Sequence, residues 1–102
     1  MSDLVIHKEL KGTELLISLD GKLNTLTASD LEAELRQNID SVETLVIDMK
    51  NLTYISSSGL RVIMKAEQIM SQNGKMILRN VQQDVMDVLE VTGLSEDLNI
   101  EN

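Results

Sequence analysis

Read from its first residues, the chain begins with short apolar-rich runs bounded by turn residues. Leu4-Val5-Ile6-His7-Lys8-Glu9 leads to Lys11-Gly12, and Glu14-Leu15-Leu16-Ile17-Ser18-Leu19 leads to Asp20-Gly21. This predicts two strands joined by a tight turn, with Asp-Gly marking a further turn. The period then lengthens. Ala28, Leu31, Leu35 and Ile39 recur three or four residues apart, with Glu32, Glu34, Arg36 and Gln37 between them. A first helix is expected, and Thr27-Ala28-Ser29-Asp30 has the form of its capping box, with Thr27 as the cap. Thr44-Leu45-Val46-Ile47-Asp48-Met49 is a nearly continuous apolar run, the pattern of a central strand buried on both faces.

From Ser58 to about Asn73 the helical period returns. Val62, Ile63, Ala66, Ile69 and Met70 fall on one side, and Arg61, Lys65, Gln68 and Gln72 on the other, with Gly74 as the stop. Lys75-Met76-Ile77-Leu78-Arg79 reads as a strand. Val81, Val85, Val88 and Leu89 give a third helix that ends at Thr92-Gly93-Leu94, where glycine can take the left-handed cap conformation. The tail Leu98-Asn99-Ile100-Glu101 has the length of a short last strand. The order β-β-α-β-α-β-α predicts an α/β fold, one domain over residues 1–102. Its mixed, partly parallel sheet packs against helices through right-handed crossovers.

Composition sharpens this mainly by exclusion. The 102 residues include no Cys, Pro, Trp or Phe, and Tyr54 is the only aromatic. The core must therefore be built from Leu, Ile, Val, Ala and Met, and stacking platforms for bases are excluded. Without cysteine there are no disulfides, thiolate zinc sites or cysteine catalysis. Seventeen acidic against nine basic residues give a net charge of −8, which repels nucleic-acid phosphates and anionic lipid. Apolar runs stop at three residues, far short of a membrane span or a signal-peptide core. The expectation is a cytoplasmic protein that binds no DNA or RNA, does not insert into membranes and carries no cofactor.

Most candidate chemistry falls away on spacing. Ser56-Ser57-Ser58 stands where α/β hydrolases place a serine, but Tyr54 or Ile55 occupies the position where a nucleophile elbow needs its first glycine. His7, the only histidine, lies on the first strand, so no catalytic residue is assigned. Gly21-Lys22-Leu23 and Gly74-Lys75-Met76 lack the Ser or Thr of a phosphate-binding loop. Asp84, Asp87 and Glu90 read as a solvated helix face rather than a metal site. Met64, Met70, Met76 and Met86 read as core filler.

The serine triplet remains. In a parallel α/β sheet, sites gather beyond the carboxyl ends of the strands. The loop leaving Asp48 delivers Ser56, Ser57 and Ser58 to a helix amino terminus, where unpaired N–H groups favour an anion. One hydroxyl serves as the cap. Gly59 behind them removes shielding bulk, so another hydroxyl is open to accept a phosphate, adding about −1.5 to −2 charge.

In this loop the chain resembles the anti-sigma-factor antagonist members of the STAS domain family. The resemblance rests on Leu45-Val46-Ile47-Asp48-Met49-Lys50-Asn51-Leu52-Thr53-Tyr54-Ile55-Ser56-Ser57-Ser58-Gly59-Leu60. It extends through the helix to Met70, to Val88-Leu89-Glu90-Val91-Thr92-Gly93-Leu94, and back to Gly21-Lys22-Leu23-Asn24 before Thr27-Ala28. It implies a partner-switching module. An anti-sigma factor that is also a serine kinase binds the unmodified antagonist and releases its sigma factor. The kinase phosphorylates the loop serine, and a PP2C-type phosphatase resets the system. The phosphoacceptor falls on Ser57, with Ser56 and Ser58 as alternatives. The partner-binding positions are Asn24, Ser56, Ser57, Ser58, Gly59, Arg61 and Lys65. Ser56 and Asn24 stand where such antagonists often carry acids. The resemblance also admits a STAS subunit of a lipid-transport complex or stress-signalling scaffold, on which no kinase acts.

Overall fold

The structure, a computed structural model, describes residues 3–101. The first hairpin forms as its pattern predicts: Leu4–Lys11 (β1) folds back on Glu14–Leu23 (β2), antiparallel, from Leu4 opposite Gly21 to Lys11 opposite Glu14. The expected turn at Asp20-Gly21 does not form. β2 pairs on both sides, and these ladders carry it to Leu23, with register shifts against the next strand between Ser18 and Asp20 and between Gly21 and Lys22. Gly21 makes this run possible. Its φ is +120°, and a Cβ there would lie 2.1 Å from the Asp3 carbonyl oxygen.

Thr25–Asn38 (α1) leads into Thr44–Ile55 (β3), which pairs in parallel with β2 and continues past Met49 because Asn51 to Ile55 still find partners in Asp20 to Leu23. The serine loop therefore leaves the sheet at Ile55, not at Asp48. Ser57–Asn73 (α2) starts one residue earlier than the apolar period indicates. Lys75–Arg79 (β4) has the predicted bounds and pairs in parallel with β3. Gln83–Val91 (α3) begins after Val81 and Gln82, and a single 3-10 turn, Leu94–Glu96, precedes the two-residue strand Ile100–Glu101 (β5).

The sheet order is β1-β2-β3-β4-β5, parallel except for β1 against β2. Right-handed crossovers that always step to the next strand in one direction keep every helix on one side of the sheet. The core agrees with this geometry. Ile17, Ile47 and Leu78 share one cluster with Leu35 of α1, Ile63 of α2 and Leu89 of α3, and Met70 and Met76 help to fill it. Val46 and Ile77 point the other way by strand alternation and stand outside that cluster, although only 2% and 8% exposed. On that side Leu16, Val46 and Ile77 lie in register on neighbouring strands. β3 is thus buried on both faces from Leu45 to Ile47, as its sequence predicts.

Candidate functional site

β2 and β3 end side by side, with Leu23 in register with Ile55, and the Ser56 N–H donates to the Leu23 carbonyl at 2.8 Å. The starts of α1 and α2 are thereby fixed next to each other at the carboxyl edge of the sheet. α1 is capped by Asn24, not Thr27. Asn24 Oδ1 accepts from the Leu26 and Thr27 N–H groups at 3.0 and 2.9 Å, and the Asn24 N–H donates to Thr27 Oγ1 at 2.8 Å. Thr27 closes this reciprocal box from the third helical position, buried, with its hydroxyl donating to the Lys22 carbonyl at 2.8 Å. Asn24 Nδ2 donates to Asp3 Oδ2 at 3.1 Å.

Ser56 is the cap of α2. Its Oγ accepts from the Gly59 N–H at 3.2 Å, which satisfies one amide of the first turn. Ser57 follows as the first helical residue and is exposed, while Ser58 is half-buried. Among the described residues, neither hydroxyl has a hydrogen-bond partner, nor does either backbone N–H, and the first turn of α2 carries no acid. A charge added at Ser57 meets unpaired donors and no carboxylate on its own turn. Gly59 is buried, so it does not open the loop. A Cβ there would lie 2.8 Å from Leu23 Cγ and 3.0 Å from Ile55 Cγ1, so this glycine lets α2 settle onto the ends of β2 and β3.

Between α1 and α2 lies an open groove of about 600 Å³, and Ser57, Ser58, Arg61 and Lys65 line it together with Ala28 and Leu94. Four sequence-predicted positions therefore share one surface. Asn24, Ser56 and Gly59 are not on its walls and act as the frame that sets the two helices. Lys65 is engaged across the groove: its Nζ lies 2.9 Å from Glu32 Oε2, which also accepts from Arg36 at 2.8 Å. The hydrogen bond from Lys65, and then that from Arg36, hold the Glu32 carboxyl below its ordinary range. Arg61 is exposed and makes no ion pair or side-chain hydrogen bond among the described residues.

Sequence reasoning missed Glu32 as a groove residue. Its spacing to Arg36 is visible as an i,i+4 pair, but its contact with Lys65 spans 33 residues and has no local signal. It also missed the anchor at the neighbouring strand end. Asn80, at φ 57°, donates through Nδ2 to Asp48 Oδ1 at 3.3 Å, and Gln82 Nε2 donates to the Lys50 carbonyl. His7 lies on β1 opposite Ser18 and is not among the groove residues. Asp84, Asp87 and Glu90 are exposed on α3, with Asp87 accepting from Gln83. Among the described residues, no helix is long and apolar enough to cross a membrane.

A family model described as STAS domain matches residues 5–102. A protein provisionally named anti-sigma factor antagonist BtrV, from Bordetella bronchiseptica, is 38% identical over 81 residues, covering 78% of this chain and 70% of its own. The anti-sigma F factor antagonist of Paenibacillus polymyxa is 30% identical over 95 residues, covering 90% of this chain and 81% of its own. Among solved structures, the anti-sigma factor antagonist SpoIIAA in its unphosphorylated form superimposes with a TM-score of 0.83 at 20% identity. That match covers 96% of this chain and 89% of the other, and it establishes a shared fold.

Proposed function

The chain belongs to the STAS domain family, and from that premise we propose that it is a cytoplasmic anti-sigma-factor antagonist, one domain over residues 1–102, working by partner switching. The observation that carries this reading is Ser57: an exposed hydroxyl without an intramolecular partner, at the first position of α2 and on the wall of the α1–α2 groove. The names of the relatives that are 38% and 30% identical support the role.

In the unmodified state the groove and the first turns of α2 form the surface that receives an anti-sigma factor, displacing its sigma factor. The same partner acts as a serine kinase. Ser57 Oγ forms a bond to the γ-phosphorus of ATP, the bond from that phosphorus to the bridging oxygen breaks to leave ADP, and the hydroxyl proton goes to a base on the kinase. The new dianion then lies inside a surface shaped for a hydroxyl. An unpaired charge in a closed interface costs about 3–5 kcal/mol, which weakens binding by more than a hundredfold. A PP2C-type phosphatase restores the hydroxyl by hydrolysis.

The neutral residues at Asn24 and Ser56 suit this geometry. Both act as helix caps through a side-chain oxygen, which an amide or hydroxyl supplies as well as a carboxylate does. The experiment is incubation with the anti-sigma kinase and ATP, with mass spectrometric mapping and a binding assay. Modification at Ser57 and binding of only the unmodified form are expected. No modification at Ser56, Ser57 or Ser58, together with no complex in the unmodified state, overturns the proposal. Recovery with transporter subunits and no kinase would instead assign the chain to a larger STAS assembly.

A further inference from the structure

We infer that Arg61 is the intramolecular receptor for a phosphate on Ser57, its guanidinium folding back over one helical turn to pair with the modified side chain on the groove wall. The inference rests on the reading of Ser57 as the modified residue and adds what the phosphate meets once it is there. Ser57 and Arg61 are four residues apart on α2, so they lie on one helix face with Cβ atoms about 5–6 Å apart, and both line the groove. That separation is within reach of an arginine side chain.

The charge arrangement singles out Arg61. The groove presents two cations, and Lys65 is committed to Glu32 at 2.9 Å. Arg61 is unpaired among the described residues, in a chain with seventeen acids against nine bases. From α1 the groove's charged group is Glu32, already held by Lys65 and Arg36, while Thr25 and Ser29 are neutral. Among the described residues that line the groove, no unpaired carboxylate therefore competes for Arg61. Lys65 begins two turns beyond Ser57, about 12 Å along the axis, and is badly placed to substitute. A guanidinium also matches phosphate oxygens in a two-point geometry that an ammonium does not reproduce.

Pairing makes the modification act twice at one place. It adds a bulky dianion beside Ser58, and it withdraws the free cation that an approaching acidic segment would otherwise meet.

The test is made on the full chain with phosphoserine installed at position 57 during translation, so no kinase is needed. Phosphorus NMR follows the second ionisation of the phosphate, ordinarily near about 6. With Arg61 present the value is expected to lie at least about 0.5 unit below that of Arg61→Gln, a roughly threefold change in proton affinity. Arg61→Lys should recover part of the difference, and Lys65→Gln should leave the value close to that of the wild type. In the wild type the Arg61 Nε–H resonance should move with the same titration, a readout that does not depend on any variant folding. Equal titration in the wild type and Arg61→Gln, with an Arg61 resonance indifferent to the phosphate, overturns the inference. A pairing confirmed here alongside a chain that the kinase neither modifies at Ser56, Ser57 or Ser58 nor binds unmodified would sink the proposed function and leave the pairing standing. The reverse pattern would sink the pairing alone.

Discussion

Ser56 and Ser57 are adjacent, chemically identical and differently employed. Ser56 Oγ holds the Gly59 N–H at 3.2 Å, whereas Ser57 Oγ has no partner among the described residues. Ser56→Ala is expected to lower stability by about 1 kcal/mol in urea denaturation, the usual cost of a lost cap. Ser57→Ala should stay within about 0.5 kcal/mol and still bind the anti-sigma partner. Glu67 offers a separate test. Its Oε2 is buried without a hydrogen-bond partner among the described residues, and loss of hydration pushes its carboxyl above the ordinary value of 4.5. A carboxyl raised by folding contributes stability below its unfolded value, and that contribution is lost as pH rises through the folded value. Glu67→Gln should therefore gain on the wild type in thermal melts near neutral pH and lose that advantage below 4.5. Which serine caps the helix was not legible in three consecutive serines, because each can offer the same oxygen. The end of the β2–β3 ladder at Leu23 and Ile55 fixes the choice.

α2 owes its seat to Gly59, whose missing side chain lets the helix rest on Leu23 and Ile55. Gly59→Ala forces a methyl into that contact and should cost about 1–3 kcal/mol, measured by denaturation, with altered NMR shifts along the groove. The opposite wall is coupled through Lys65 and Glu32. In Lys65→Met the Glu32 titration, followed by carboxyl carbon NMR, should move back up toward the ordinary range, because the main cause of its depression has gone. Helix periods were largely legible: Ala28, Leu31, Leu35, Val62, Ile63, Ala66, Met70, Val85 and Leu89 are all buried. Helix starts were less so. Asn24-x-x-Thr27 and Thr27-x-x-Asp30 both have capping form, and the first prevails because Thr27 is buried with its hydroxyl tied to the Lys22 carbonyl.

Across the molecule the sheet has two unlike faces, since the cluster shared with the three helices lies on one, and Val46 and Ile77 point to the other. Ile47 and Ile77 test this directly, since both are isoleucines in parallel strands and both are below one-tenth exposed. Ile47→Ala opens a cavity in the shared core and should fall in the upper part of the usual range of about 2–5 kcal/mol. Ile77→Ala should cost at least about 1 kcal/mol less, because Ile77 lies outside that cluster and is the more exposed of the two, so the space it leaves is nearer to water. The net charge of −8 belongs to this level too, and a phosphate changes it by only about −2. A switch of that size must act through its position beside the groove, not through the field of the whole protein.

The sequence by itself determined the element order, the apolar runs that build β3 and β4, and a serine loop at the entry to a helix. These follow from interactions between residues close along the chain: side-chain period, turn chemistry and caps. Tertiary structure alone decided that β2 runs through Asp20-Gly21, that every helix lies on one side, and that α1 and α2 enclose a groove. Among the described residues it also left Lys65 bound and Arg61 free. Those outcomes depend on which distant segments become neighbours, and contacts spanning thirty residues or so, such as Lys65 with Glu32, leave no periodic trace in the chain.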